Sequence, residues 1–182
     1  ETTSLFRQRR KPLHGFTLIE VLVVVAIIAL VGAVVVPQML TAGQLGVQAA
    51  ARMVISDLLY AQNEAVSRQS PRKVVFDAAN NRYQIVRTDI GGSDVVLTAK
   101  WRTAAGATTD QYVTDFTRDS RFQGVQLASP SFGGDAELVF DELGAPSSGG
   151  SVDLVFRNDV RYRVTVAPFT GRVTVAQVPS GG

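Results

Sequence analysis

From Phe16 to Val36 the chain runs for 21 residues with one charge, Glu20. At 1.5 Å per residue a helix of that length is about 30 Å long, which matches the hydrocarbon core of a bilayer. Beyond Pro37, which is expected to kink the helix or end its apolar part, the pattern turns amphipathic. Val47, Ala51, Val54, Leu58, Ala61 and Ala65 recur at steps of three and four, while Arg52, Asp57, Gln62, Asn63 and Arg68 fall mostly on other faces. This period predicts a helix over 37–70, closed off by Pro71, whose apolar stripe needs a surface to cover. Gly43 and Gly46 are poor helix formers and predict a loosening between Pro37 and Val47.

From Arg72 onward short β-branched runs alternate with turn residues. They predict strands at Lys73–Asp77, Arg82–Arg87, Val95–Trp101, Gly124–Leu127, Glu137–Phe140, Val152–Phe156, Val160–Val166 and Arg172–Val178. Tyr162, Val164 and Val166 alternate with Arg161, Arg163 and Thr165, the signature of a half-buried antiparallel strand. Asn80-Asn81 and Asn158-Asp159 read as hairpin turns, and 145–151 as a loop. The polar stretch 102–123 reads as a surface excursion with room for one short helix, and Trp101 and Phe116 as core or loop-anchoring residues. A long helix followed by strands makes the fold α+β, with antiparallel sheets wrapped around the outer half of the helix.

Composition then narrows the chemistry. The 182 residues suit one compact domain with an appended segment, and the net charge of +2 by itself implies no nucleic-acid partner. Arg7, Arg9, Arg10 and Lys11 cluster ahead of the apolar run, with no acid between Glu1 and Glu20. The positive-inside rule puts that end in the cytoplasm. There is no cysteine, and the one histidine is His14, so thiol and histidine chemistry are absent from the β-rich part.

Two ordinary readings of the N-terminal segment fit less well. A secretory signal peptide has a shorter apolar core and a small-residue cleavage site after it. A plain membrane anchor leaves Glu20 unexplained, since a carboxylate there costs on the order of 2.5–3.5 kcal/mol on insertion scales. The run Gly15-Phe16-Thr17-Leu18-Ile19-Glu20, after basic residues and before an apolar helix, resembles the prepilin signature of type IV pilins and type II secretion pseudopilins. The resemblance implies a leader over 1–15, cleavage after Gly15 by a prepilin peptidase, and N-methylation of the new terminal Phe16. It also implies an assembly role for Glu20, and the physics agrees: a carboxylate is the natural counter-charge for a terminal amine in an apolar bundle.

The second half is similar to the GspH/FimT family of minor pseudopilins. The residues that carry the likeness are Val139 to Pro146, Val152 to Phe156, Tyr162 to Val166 and Gly171 to Val175. The expected organisation is therefore a leader (1–15), a transmembrane helix (16–36), its amphipathic extension (37–70) and a periplasmic β-rich domain (71–182). The expected partners are other pseudopilins or pilins, the prepilin peptidase and an inner-membrane assembly platform. The expected place is the bacterial inner membrane, single-pass, and then a pseudopilus.

Little else suggests chemistry. Asp110, Asp115 and Asp119 lack the spacing of a calcium loop and are interrupted by Arg118 and Arg121. No base stands beside a serine or threonine, so no enzyme, cofactor or metal is expected. Arg157, Arg161, Arg163 and Arg172 lie on neighbouring strands and could contact DNA phosphates, which some FimT-like minor pilins bind. The competing reading is a solvated face partly neutralised by Asp153 and Asp159, and it is preferred because no base-stacking platform accompanies the arginines. The leading expectation is a minor pseudopilin of a type II secretion system. The alternative is a FimT-like minor pilin of a type IV pilus, acting in pilus assembly or DNA uptake.

Overall fold

The computed structural model describes residues 16–88, 92–99, 110–157 and 160–179; the side chains of 34–44 lie outside that description. Contacts divide the chain into two units, 1–39 and 40–182. One helix, α1 (Leu18–Arg68), contributes to both. It continues through Pro37, Gly43 and Gly46, so the expected loosening is not found. Gly46 has a packing reason instead: a Cβ there would lie 3.3 Å from the Arg121 carbonyl oxygen.

In the first unit the helix is lined all round by exposed apolar side chains, among them Leu18 at 84% and Leu30 at 70%. Among the described residues no helix is long and apolar enough to cross a membrane. The described side chains of the run stop at Ala33, whereas the apolar sequence continues to Val36.

In the second unit the predicted stripe is buried at every position: Val47, Ala51, Val54, Leu58, Ala61 and Ala65, joined by Ala50. The helix closes with a Schellman motif. Gln69 takes a left-handed φ of 46°, its N–H bonds to the Val66 carbonyl, and the Ser70 N–H reaches back to Ala65. Pro71 then prevents continuation.

Among the described residues nine strands follow: β1 (Arg72–Asp77), β2 (Arg82–Thr88), β3 (Asp94–Val96), β4 (Val113–Asp115), β5 (Val125–Phe132), β6 (Glu137–Phe140), β7 (Gly150–Phe156), β8 (Val160–Val166) and β9 (Val173–Val178). They form two antiparallel sheets. One runs β3-β2-β1-β6, with β4 also paired to β2; the other runs β5-β7-β8-β9. Phe76, Ile85, Leu138 and Phe140 from the first sheet, and Leu127, Leu154 and Val164 from the second, share one apolar cluster with the helix stripe. Asn81, at a left-handed φ of 53° in the β1–β2 turn, ties the sheets together. Its side-chain amide donates to the Val125 carbonyl (2.8 Å) and accepts from the Leu127 N–H (2.7 Å).

Three expectations change. β5 is longer than predicted, because a register shift between Ala128 and Ser131 absorbs Ser129 and Pro130 without ending the strand. The surface excursion is not all surface: Tyr112 and Phe122 join the expected Phe116 in the core and β4 lies within it, while the expected short helix is a 3-10 turn over Ser120–Phe122. Of the strand predicted over 95–101, the structure describes β3 and a bridge from Thr98 to Gln111. Trp101 and the turn at Asn158-Asp159 lie outside the described residues.

Asp57 is the second departure on the helix. It is 4% exposed, not on an outer face. Its carboxylate accepts from the Tyr83 hydroxyl (2.5 Å), the Tyr112 hydroxyl (2.9 Å) and the Thr114 hydroxyl (3.2 Å). Desolvating a carboxylate is costly, and three donors offset that cost. Removing the acceptor leaves three buried hydroxyls to find new partners. Asp57→Ala is therefore expected to lower unfolding free energy by about 3 kcal/mol, and Asp57→Asn by about 1 kcal/mol, in urea titrations of the protein. A loss below about 0.5 kcal/mol for the alanine variant would show that the cluster is dispensable.

Candidate assembly site and arginine face

The helix begins at the predicted assembly motif. Thr17 precedes α1, and its hydroxyl accepts from the Glu20 N–H at 3.2 Å. The Glu20 carboxylate reaches back to the Thr17 N–H at 3.5 Å. This is a capping box, a threonine and a glutamate three residues apart that satisfy each other's otherwise unpaired backbone donors. The carboxylate also sits in the first turn, where the helix dipole favours negative charge. The sequence contained this signal as Thr-x-x-Glu, but the reading of Glu20 as a counter-charge passed over it. Phe16 is 81% exposed and free of the helix ladder. Gly15 lies outside the described residues.

The arginines do not form one array. Arg161 and Arg163 alternate with buried Val160, Val164 and Val166 on β8 and share its outer face, as predicted. Both converge on Asp153, whose side chain is 3% exposed. In register Asp153 stands opposite Arg163. Arg163 binds it through Nε (2.7 Å) and one terminal nitrogen (2.9 Å), and Arg161 adds a longer bond of 3.4 Å. Those hydrogen bonds, and then the negative charge itself, hold the Arg163 guanidinium above its ordinary pKa. Arg157, at a left-handed φ of 48°, stands over the Phe156 ring at 5.3 Å. Arg172 precedes β9 at the far end of the sheet: Arg161 pairs with Val178, six residues and about 20 Å further along β9. Asp159 lies outside the described residues.

Of the acids weighed as calcium ligands, Asp115 and Asp119 are engaged with neighbours. Asp115 accepts from the Thr117 N–H (2.9 Å) and pairs with Arg118 (3.3 Å). Asp119 caps the 3-10 turn through the Arg121 N–H and binds the Arg121 guanidinium at 2.6 Å. Those side-chain bonds pull the Asp119 pKa below the usual carboxylate range. Among the described residues no three acids or histidines are grouped to hold a metal ion.

Two family signatures match the sequence: the prokaryotic N-terminal methylation motif over residues 10–36, and the type II transport protein GspH over residues 50–171. No curated protein sequence matches. Among solved structures, the chain is similar to the minor pseudopilin EpsH from the type 2 secretion system of Vibrio cholerae, with a TM-score of 0.51 and 15% identity over 74% of this chain and 98% of that one. It is also similar to the type IV minor pilin FimU of Pseudomonas aeruginosa, with a TM-score of 0.49 and 17% identity over 74% of this chain and 89% of that one. At these identities the likeness to EpsH is one of fold.

Two measurements follow from the charges. Replacing Arg161 and Arg163 together by glutamine strands the buried Asp153 carboxylate. It is expected to cost about 2 kcal/mol, discounted for the half-exposed arginines. Asp153→Asn releases arginines that can turn to solvent, and costs about 1 kcal/mol. The reverse order in urea unfolding would contradict a structural ion pair. For Asp119 the folded pKa is depressed, so its stabilisation is present above the unfolded value near about 4 and is lost as pH falls through the lower folded value. Arg121→Gln is expected to flatten the fall in Tm below about pH 4, and an unchanged acid limb would remove the pair from the account.

Proposed function

The chain belongs to the family of the type II transport protein GspH, and from that premise we propose that it is a minor pseudopilin of a type II secretion system. It serves as a structural, non-catalytic subunit of the periplasmic pseudopilus. The observation that carries this reading is the union, on one chain, of an N-terminal methylation motif over 10–36 with a GspH region over 50–171.

A prepilin peptidase cleaves after Gly15, and Phe16 becomes the methylated terminus. The apolar helix of the first unit then sits in the inner membrane, its basic end cytoplasmic and the β-rich domain periplasmic. Exposed apolar side chains on every side of this helix support that placement, because water would penalise such a surface. On assembly the helix packs among those of other pilin-like subunits at the assembly platform. Glu20 then has two duties. Its capping box starts the helix, and its charge faces the terminal amine of a neighbour.

A minor pilin of a type IV pilus is the second reading, favoured by Arg161 and Arg163, whose side chains are 44% exposed. Their shared Asp153 leaves a net charge of about one, a small footprint for DNA.

Deleting the gene and comparing the proteins released into the medium separates the branches. The proposal expects secreted enzymes to accumulate in the periplasm, with rescue by the intact gene. Unchanged secretion, accompanied by lost twitching or DNA uptake, would move the chain to the pilus branch. Glu20→Val is expected to reduce co-purification with partner subunits about tenfold while the soluble domain keeps its Tm. Normal recovery of partners would remove Glu20 from assembly.

A further inference from the structure

The two sheets have four kinds of edge, and three of them are guarded. β3 and β4 are three-residue strands, and β3 carries Asp94, which is held by Lys73 at 2.7 Å. β5 is bulged at a register shift and carries Pro130. β6 is covered by the following loop: the Ser147 N–H bonds to the Val139 carbonyl, and Phe140 bridges to Pro146. Short strands, charges, bulges, prolines and covering loops are the usual protections of a sheet edge.

Among the described residues β9 has none of them. It pairs with β8 alone among the described strands, and Val173-Thr174-Val175-Ala176-Gln177-Val178 has six residues, no charge and no proline. Its register places Val173 and Val175 opposite Val166 and Val164, which are buried at 1% and 0%. Those two valines therefore continue the core face of the sheet, yet Val175 is 43% exposed. The core face runs on past the point where the helix covers it.

The neighbouring helix offers a second wall. Ile55, Leu59, Gln62 and Val66 form one row at helical spacing. The Gln62 amide donates to the Gly144 carbonyl at 2.8 Å, and a Cβ on Gly171 would collide with it. The row thus faces the turn that leads into β9. Leu59 and Val66 are 41% and 46% exposed.

Charge supplies the last element. From Val160 to the end there is no acid, and among the described residues exposed Arg172 is paired with no carboxylate. We propose that the free edge of β9 is a strand-addition site for an extended segment of another protein. The segment runs antiparallel to β9, as every pair in this sheet does. It places apolar side chains beside Val175 and Leu59, and a carboxylate at its C-terminal end reaches Arg172. Backbone hydrogen bonds supply the affinity, and alternate side chains together with Arg172 supply the selectivity. A second copy of β9 is a poorer occupant because it brings no acid to Arg172. The inference does not depend on which filament the chain joins.

The test uses the full chain in detergent and an acetylated hexapeptide alternating valine and threonine and ending in glutamate. Backbone hydrogen exchange of 173–178 is followed by mass spectrometry. The expected result is saturable binding that slows β9 exchange about tenfold. Arg172→Ala is expected to weaken it about threefold, as is a lysine in place of the peptide's glutamate. A peptide N-methylated at alternate residues on its ladder edge should not bind, because it lacks those donors. Equal binding of the N-methylated peptide would overturn strand addition, as would binding that leaves β9 exchange unchanged. Slow exchange of β9 before any peptide is added would show that the chain's own residues already cover the edge, and would also overturn it.

Discussion

The folded unit depends on one face of one helix. Val47, Ala50, Ala51, Val54, Leu58, Ala61 and Ala65 are removed from water, and both sheets join the same apolar cluster. Burial at roughly 25 cal/mol per Å2 favours any arrangement that hides this stripe, but does not choose among them. The choice comes from polar contacts that work in one geometry. Asp57 lies within the stripe and is met by Tyr83, Tyr112 and Thr114, which fixes β2 and β4 against the helix. Asn81 fixes β5 against the β1–β2 turn. Gln62 fixes the loop after β6.

Much of this was legible in the sequence, because period and alternation are local. The six stripe positions are all buried, β6 and β8 have the predicted bounds, and the alternating faces of β8 are as predicted. What was not legible depends on residues far apart in the chain. Asp57 reads as a polar-face residue until donors 26, 55 and 57 positions away are brought to it. β4 is three residues long, too short to show a period. Tyr112 and Phe122 sit in a stretch whose polar residues hide its contribution to the core, of which Phe116 alone was legible. The shared face of Arg161 and Arg163 and its part neutralisation by Asp153 were both expected, and the register that sets Asp153 beside Arg163 supplies the geometry.

The two units use apolar surface in opposite ways. In residues 40–182 it is gathered into a stripe and covered by strands. In the first unit it surrounds the helix, and this chain supplies nothing to cover it among the described residues. Lipid first and other subunits later are the covers proposed here, and both welcome a helix with no polar face. Glu20 is the exception, and the capping box explains how a carboxylate is tolerated there: its charge is held by a backbone donor at the positive end of the helix. In the proposed assembly the same group is the one that would meet a neighbour's amine.

The central claim is that this is a processed, filament-building subunit rather than a plain anchored or secreted protein. Intact-mass and N-terminal fragment analysis of the protein isolated from its native membrane tests it most directly. The account predicts a mature chain that begins at Phe16 and carries one methyl group on its terminal nitrogen. A mature chain that retains Gly15, or one that begins beyond Val36 as a conventional secretory cleavage would leave it, would contradict the account.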